Sequence, residues 1–189
     1  MASVDPRLIR LKELLEQKAI LHGDFTLASG KKSPYYFDGR LVTHDAEGIT
    51  LIGELVQEIL QGADVDAVGG PSVGANPIIT ATSIASHRAH KPLDGFFVRP
   101  ERKQHGTGKL IEGTLPSTPG AAVAIVEDSV TTGGSLRRAI EAVEAEGYRV
   151  GKVVVVVDRR QGGVESLRAD GYDVQALLDA DGDKILPPE

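Results

Sequence analysis

From Leu8 onward the apolar residues of this chain return three and four positions apart. Leu8, Leu11, Leu14 and Leu15 form one stripe, and Asp5-Pro6 stands ahead of it as helix cap and first helical residue. The same spacing at Ile49, Ile52, Leu55, Val56 and Ile59 predicts a helix over 45–61. Between the two, FTLAS and SPYYF read as short strands around the Gly30-Lys31-Lys32 turn. Further on, the rhythm becomes strand, loop, helix. ADVDAVGG leads into a Gly/Pro loop and the helical stretch IITATSIASHRA, and DGFFVR leads into a basic loop. AAVAIV runs into a polar turn and then SLRRAIEAVEAEG, capped by Gly147. KVVVVVD is followed by the weaker helix VESLRAD, and DVQALLD closes the pattern. Val153–Val157 is unbroken, which predicts a strand covered on both faces. The pattern is that of an α/β fold with a largely parallel central sheet flanked by helices and right-handed crossovers. Ligands of such folds bind beyond the carboxyl ends of the strands. The loops 69–76, 99–112, 127–135 and 158–162 are expected to converge there.

Composition narrows the chemistry. The 189 residues predict a single domain over 1–189, with 41% hydrophobic and 25% charged residues, close to globular averages. No apolar run has transmembrane length, and the first residues read as an amphipathic helix, not a signal peptide. The absence of cysteine excludes disulfides, thiolate metal sites and thiol catalysis, and points to the cytoplasm. A net charge of -6 argues against a general nucleic-acid binder. The cations are nonetheless clustered: RPERKQHGTGK, residues 99–109, is one group, and Lys31, Lys32 and Arg40 are another. Two cationic stretches on an acidic chain suggest a small anionic ligand, although a basic solvated loop has the same composition.

One stretch is unusual. In AAVAIVEDSVTTGGSLRRAIEAVE, residues 121–144, an apolar run ends in two adjacent acids, and two threonines and two glycines follow. A two-residue hairpin does not account for the glycines, because Leu136, Ile140 and Val143 continue at helical spacing. A strand-to-helix turn rich in Thr, Gly and Ser aims N–H groups and hydroxyls at one spot, where the helix dipole adds positive charge. That suits a phosphate. The acids before it can hold ribose hydroxyls and favour positive charge developing on a sugar ring.

The stretch resembles the signature of the phosphoribosyltransferases: four apolar residues, two acids, two variable positions, then T-x-G-[GT]-[ST]. Here it reads VAIV-ED-SV-TTGGS without a gap. At average composition such a match arises at fewer than about one in a million positions. The resemblance implies a type I phosphoribosyltransferase-like fold and use of 5-phosphoribosyl 1-diphosphate (PRPP) with Mg2+. Three further stretches resemble the orotate phosphoribosyltransferases of that family. FTLASGKKSPYYFD, within a small N-terminal hood over about residues 1–40, looks like their substrate segment. RPERKQHGTGK looks like their mobile catalytic loop, and VVVVVDRR carries the arginine expected for the orotate carboxylate. The GGPSVGANP segment resembles their pyrophosphate loop, and a non-proline cis peptide is expected over Pro71–Val73.

What this resemblance implies is specific. Lys103, His105, Asp128 and Glu127 are expected to be catalytic. PRPP is expected to meet Arg99, Arg102, Lys103, His105, Glu127, Asp128, Ser129, Thr131, Thr132, Gly133, Gly134 and Ser135. Orotate is expected to meet Tyr36, Phe37, Thr131 and Arg159. No protein side chain is expected to ligate Mg2+ directly, the ion being held by PRPP and water. A homodimer sharing the catalytic loop is implied, with no nucleic acid or membrane partner. The sequence departs from many bacterial members at Ala28, Gly74 and Pro100, where those carry lysine. Two rivals are a transferase for another base and a PRPP-sensing regulator. GTGKL is no P-loop, because Lys103 and Leu110 occupy two of its required positions. His87 and His90 lack a third metal ligand.

Overall fold

The computed structural model describes residues 5–26, 30, 32–101 and 109–188. The N-terminal helix α1, Pro6–Leu14, is capped by Asp5, whose carboxylate accepts the Arg7 N–H at 2.8 Å. It continues into a π-helical turn, Leu15–Ala19. Strands β1, Ile20–Thr26, and β2, Lys32–Phe37, pair antiparallel as a two-stranded ribbon apart from the main sheet. After the short α2, Arg40–Thr43, Asp45 caps α3, Ala46–Gln61, through the Gly48 N–H at 2.9 Å.

The main sheet is built from β3 (Ala67–Pro71), β4 (Asp94–Val98), β5 (Ile111–Gly113), β6 (Ala122–Val130), β7 (Arg149–Asp158), β8 (Val174–Asp181) and β9 (Lys184–Leu186). Its order is β5-β4-β3-β6-β7-β8-β9, parallel from β4 to β8 with an antiparallel strand at each edge. Helices α4 (Ala75–Arg88), α5 (Gly134–Ala145) and α6 (Gly163–Ala169) make the crossovers. Alternation along β7 shows why its valine run is continuous. Val153 and Val155 pack with Leu136, Ile140 and Leu167 on one face, while Val154 and Val156 pack with Ile52, Val56 and Ile78 on the other. Each fully buried valine of this kind contributes about 1.5–3 kcal/mol.

The chain steps from β3 to β4 in one direction and from β6 through β7 to β8 in the other. The order therefore reverses between β3 and β6, and a crevice opens there at their C-terminal ends. Two glycines let the backbones close up at that point. A Cβ at Gly69 would lie 2.2 Å from the Phe96 ring, and one at Gly70 would lie 2.1 Å from the Val126 carbonyl oxygen. The expected boundaries need two corrections, the first being that β1 begins at Ile20, five residues before the expected FTLAS strand. The acids do not lie in the turn, because β6 continues through Glu127 and Asp128 to Val130 and pairs with β7 as far as Asp158. Edge strands β5 and β9 are additions that the apolar pattern does not predict.

Candidate active site

Because the acids belong to a strand, they face opposite ways. Glu127 turns towards α5, where its Oε2 accepts the Ser135 hydroxyl at 2.9 Å. Asp128 turns towards the α2 and α4 side, where its carboxylate lies 3.0 Å from a Cβ placed on Gly74 and 3.3 Å from one on Gly39. Strand alternation thus separates two like charges that are adjacent in sequence. Both are withdrawn from water. Burial pushes the Glu127 carboxyl up to about 7; the Ser135 hydrogen bond pulls the other way, the Asp128 charge adds to the rise, and Arg138 opposes it. Burial likewise raises Asp128, against the hydrogen bond from the Ser129 N–H, with Asp38 adding and Arg40 opposing.

After Val130 the chain turns through exposed Thr131 and Thr132 to Gly133, which caps α5 at φ +79, a conformation side chains resist. Helix α6 packs beneath this turn, since the Gly163 N–H donates to the Thr131 carbonyl at 2.9 Å. Gly134 and Ser135 open α5 with N–H groups that the first turn of a helix leaves unpaired. The arrangement is a donor-lined concavity at a helix N-terminus, with a carboxylate on each face of the strand leading into it.

Across the crevice, Ser72 follows β3 and its N–H donates to the Val98 carbonyl at 2.8 Å. The Ser72–Val73 peptide is cis, inside the segment where one was expected. Arg99, just past β4, is held by Glu112 of β5 at 3.0 Å. Ser72 and Arg99, together with Ser135 and Arg138, line a small cleft that includes Glu127. A wider groove of 610 Å3 lies elsewhere, between α4 and β4.

The aromatic pair divides. Phe37 lies beneath Arg159, whose guanidinium carbon sits 4.6 Å from the ring centroid. Tyr36, on the other face of β2, is 40% exposed and stacks near Phe25, 5.7 Å between centroids. Phe37 and Asp128 both come within 3.3 Å of the same Cβ position on Gly39, so the ring stands beside the carboxylate. The Arg159 N–H donates to the Val130 carbonyl at 2.9 Å, tying Arg159 to the end of β6.

The structure therefore brings together Phe37, Arg159, Glu127, Asp128, Ser129, Thr131, Thr132, Gly133, Gly134, Ser135 and Arg99, and leaves Tyr36 beside Phe25. Arg102, Lys103 and His105 lie outside the described residues, as does Ala28. Two features escape a reading of the sequence. Arg138 enters the cleft from α5. Beside Arg159, buried Asp158 accepts the Arg160 N–H at 2.9 Å and buried Asp179 accepts the Arg160 guanidinium at 2.9 Å, with Arg160 at φ +49. Nothing in local sequence joins Arg160 to Asp179; the β7–β8 register does.

Residues 42–178 match the phosphoribosyl transferase domain family. An orotate phosphoribosyltransferase of Nostoc sp. is 41% identical over 180 residues, covering 94% of this chain and 86% of the relative. One from Rhodopirellula baltica is 41% identical over 181 residues, covering 93% of each. Among solved structures, an orotate phosphoribosyltransferase of Mycobacterium tuberculosis superposes with a TM-score of 0.82 at 38% identity, covering 92% of this chain and 97% of that one. A structure of that enzyme in complex with PRPP superposes with a TM-score of 0.78 at 36% identity, covering 92% and 96%. A likeness this even along the chain, with a donor-lined turn behind two acids at the switch point, has one meaning: the chain belongs to the phosphoribosyltransferase family, among the orotate phosphoribosyltransferases.

Proposed function

We propose that this chain transfers the 5-phosphoribosyl group of PRPP to orotate, giving orotidine 5'-phosphate and pyrophosphate, a step of pyrimidine synthesis carried out in the cytoplasm. The observation that carries the reading is the continuity of the crevice. A donor-lined turn, two carboxylates and an aromatic–arginine pair follow one another along the C-terminal ends of the strands, an order that suits phosphate, sugar and base.

PRPP would seat its 5-phosphate on Thr131–Ser135, its ribose hydroxyls against Glu127 and Asp128, and its diphosphate on the loop after β3. Phe37 offers an apolar face to the pyrimidine, and Arg159 a planar fork to its carboxylate. Orotate N1 attacks C1, the N1–C1 bond forms as the C1–O bond breaks, the electron pair leaves with the diphosphate oxygen, and the N1 proton passes to that departing diphosphate or to water. Two carboxylates flanking the sugar favour the positive charge that gathers on it, and positioning does the rest. By resemblance, Lys103 and His105 act on the departing diphosphate from a loop that excludes water.

Among the described residues no three His, Asp or Glu side chains are grouped to hold a metal. Glu127 and Asp128 at the end of β6 fit a site to which Mg2+ would come with PRPP and water, and they would orient the ribose hydroxyls there. When bound, that ion neutralises part of the diphosphate charge. No helix of the described residues is long and apolar enough to cross a membrane. A homodimer is part of this reading, supported by the outer face of α4, where Ile84 is 48% exposed beside the 610 Å3 groove.

The test is a panel of bases offered with PRPP and Mg2+. Orotate is expected to disappear only when both are present. Comparable turnover of hypoxanthine, guanine or adenine overturns the choice of base, and PRPP binding without any turnover overturns the enzyme.

A further inference from the structure

Two arginines stand side by side on α5 and meet different fates. Arg137 is tied down, donating to the Ser166 hydroxyl at 2.8 Å and pairing with Asp170. Arg138 is exposed and makes no hydrogen bond or ion pair among the described residues, although Glu141 stands three positions on, within ordinary helical reach. Its guanidinium instead leans back towards the helix start, with Nη1 3.7 Å from a Cβ placed on Gly134. Side chains on a helix lean that way, so the position of Arg138 on α5 aims its charge at the crevice.

The cleft it enters has Ser72, Gly74, Arg99, Glu127 and Ser135 as its other principal walls. Gly74 brings no charge. Arg99 is engaged by Glu112 at 3.0 Å. Arg138 is thus the cation that this cleft leaves uncommitted among the described residues, standing opposite the loop after β3 and close enough to Glu127 to favour its ionised form. An uncommitted guanidinium facing a turn of backbone across a narrow gap is placed to close on a tetrahedral anion.

We propose that Arg138 grips the diphosphate of PRPP from the α5 side, a contact that rests on the phosphoribosyl-transfer reading above. The 5-phosphate belongs to the N-terminal turn itself, where the free N–H groups point along the helix axis. Arg138 is one turn further on and lines the cleft with Pro71 and Ser72 at the end of β3. It faces the half of the crevice where the leaving group lies. As C1–O breaks, the pair leaving with oxygen adds charge to the diphosphate. Arg138 neutralises it without giving up a bond of its own.

The test compares Arg138→Gln and Arg138→Lys with the wild type in calorimetric titrations of Mg-pyrophosphate and, separately, ribose 5-phosphate. Arg138→Gln is expected to weaken pyrophosphate about tenfold and leave ribose 5-phosphate within about twofold, with Arg138→Lys recovering part of the loss. The KM for orotate is expected to stay put, and so is the unfolding midpoint, because Arg138 is exposed. Unchanged pyrophosphate affinity overturns the proposal, and so does a loss confined to ribose 5-phosphate or shared equally by both ligands. A wild-type protein that consumes no orotate defeats the underlying reading instead. A wild type that does, beside an Arg138→Gln variant indistinguishable from it, defeats this contact alone.

Discussion

At the scale of single residues, Glu127 pays for its place in β6. It is 8% exposed, and burial holds its carboxyl near 7 where 4.5 is ordinary. An acid raised in the folded state costs stability as pH climbs from its unfolded value to its folded one, because the unfolded chain releases the proton first. The penalty is absent below about 4.5 and complete above about 7. At about 1.4 kcal/mol per pKa unit it reaches roughly 3 kcal/mol. Glu127→Gln is therefore expected to be about 2–3 kcal/mol more stable than the wild type at pH 8 and nearly equal to it at pH 4, measured by denaturant unfolding at both. A 13C-labelled Glu127 carboxyl should titrate near pH 7 in the free protein, and higher still in Ser135→Ala, which lacks the hydroxyl that favours the charge. A midpoint near 4.5 in both proteins is incompatible with this account. A carboxylate costly in the empty site is the one that gains most when positive charge develops on a bound ribose.

At the scale of elements, the strand–turn–helix around β6 divides its labour, and Gly134 separates the parts. Gly133 needs its left-handed conformation, whereas Gly134 is helical and a Cβ there meets only Arg138, at 3.7 Å. Gly134→Val should consequently fold, because valine has a helix propensity no worse than that of glycine. Its methyl groups would stand where the 5-phosphate approaches, so PRPP binding should fall by about tenfold or more. Glu127→Gln and Asp128→Asn should keep most of that affinity and slow the single-turnover rate instead. Amides that abolish binding, beside a Gly134→Val protein that binds normally, reverse the assignment. This element was legible in the sequence because strand, turn and helix are contiguous and each residue type has a local reason to be there. Other parts had no such local signal. Strands β5 and β9 are three residues each, too short for a period to declare itself. Arg137 and Arg138 are alike in sequence, and only the neighbours supplied by α6 and β3 tell them apart. Tyr36 and Phe37 did carry a signal, since neighbours on a strand face opposite ways, and here their rings meet Phe25 and Arg159 respectively.

At the scale of the whole molecule, the chain's two directions of travel create the crevice, and the proposed homodimer can be tested at the β4–β5 edge. That edge ends in a three-residue strand, and the described part of the chain leaves β4 at Glu101 and returns at Lys109. The groove between α4 and β4 adjoins it, lined by Thr80, Ile84 and Phe97, and a second cleft with Ile49 and Arg88 lies on the far side of Ile84. A second copy seated here would cover Ile84. Ile84→Glu places a charge in the middle of that contact, and sedimentation should then show a monomer with intact secondary structure and little turnover. Mixing distinguishes a shared loop from a private one. Lys103→Ala and Glu127→Gln are each expected to be nearly inactive alone. If loops serve the partner's site, a mixed dimer has one crevice with Glu127 intact and a Lys103 reaching it from the other subunit, so equal mixing after subunit exchange recovers roughly a quarter of wild-type activity. If each loop serves its own site, every crevice in the mixed dimer carries one defect and nothing is recovered. Dimers that exchange freely, shown by labelled subunits, yet stay inactive would confine the loop to its own subunit.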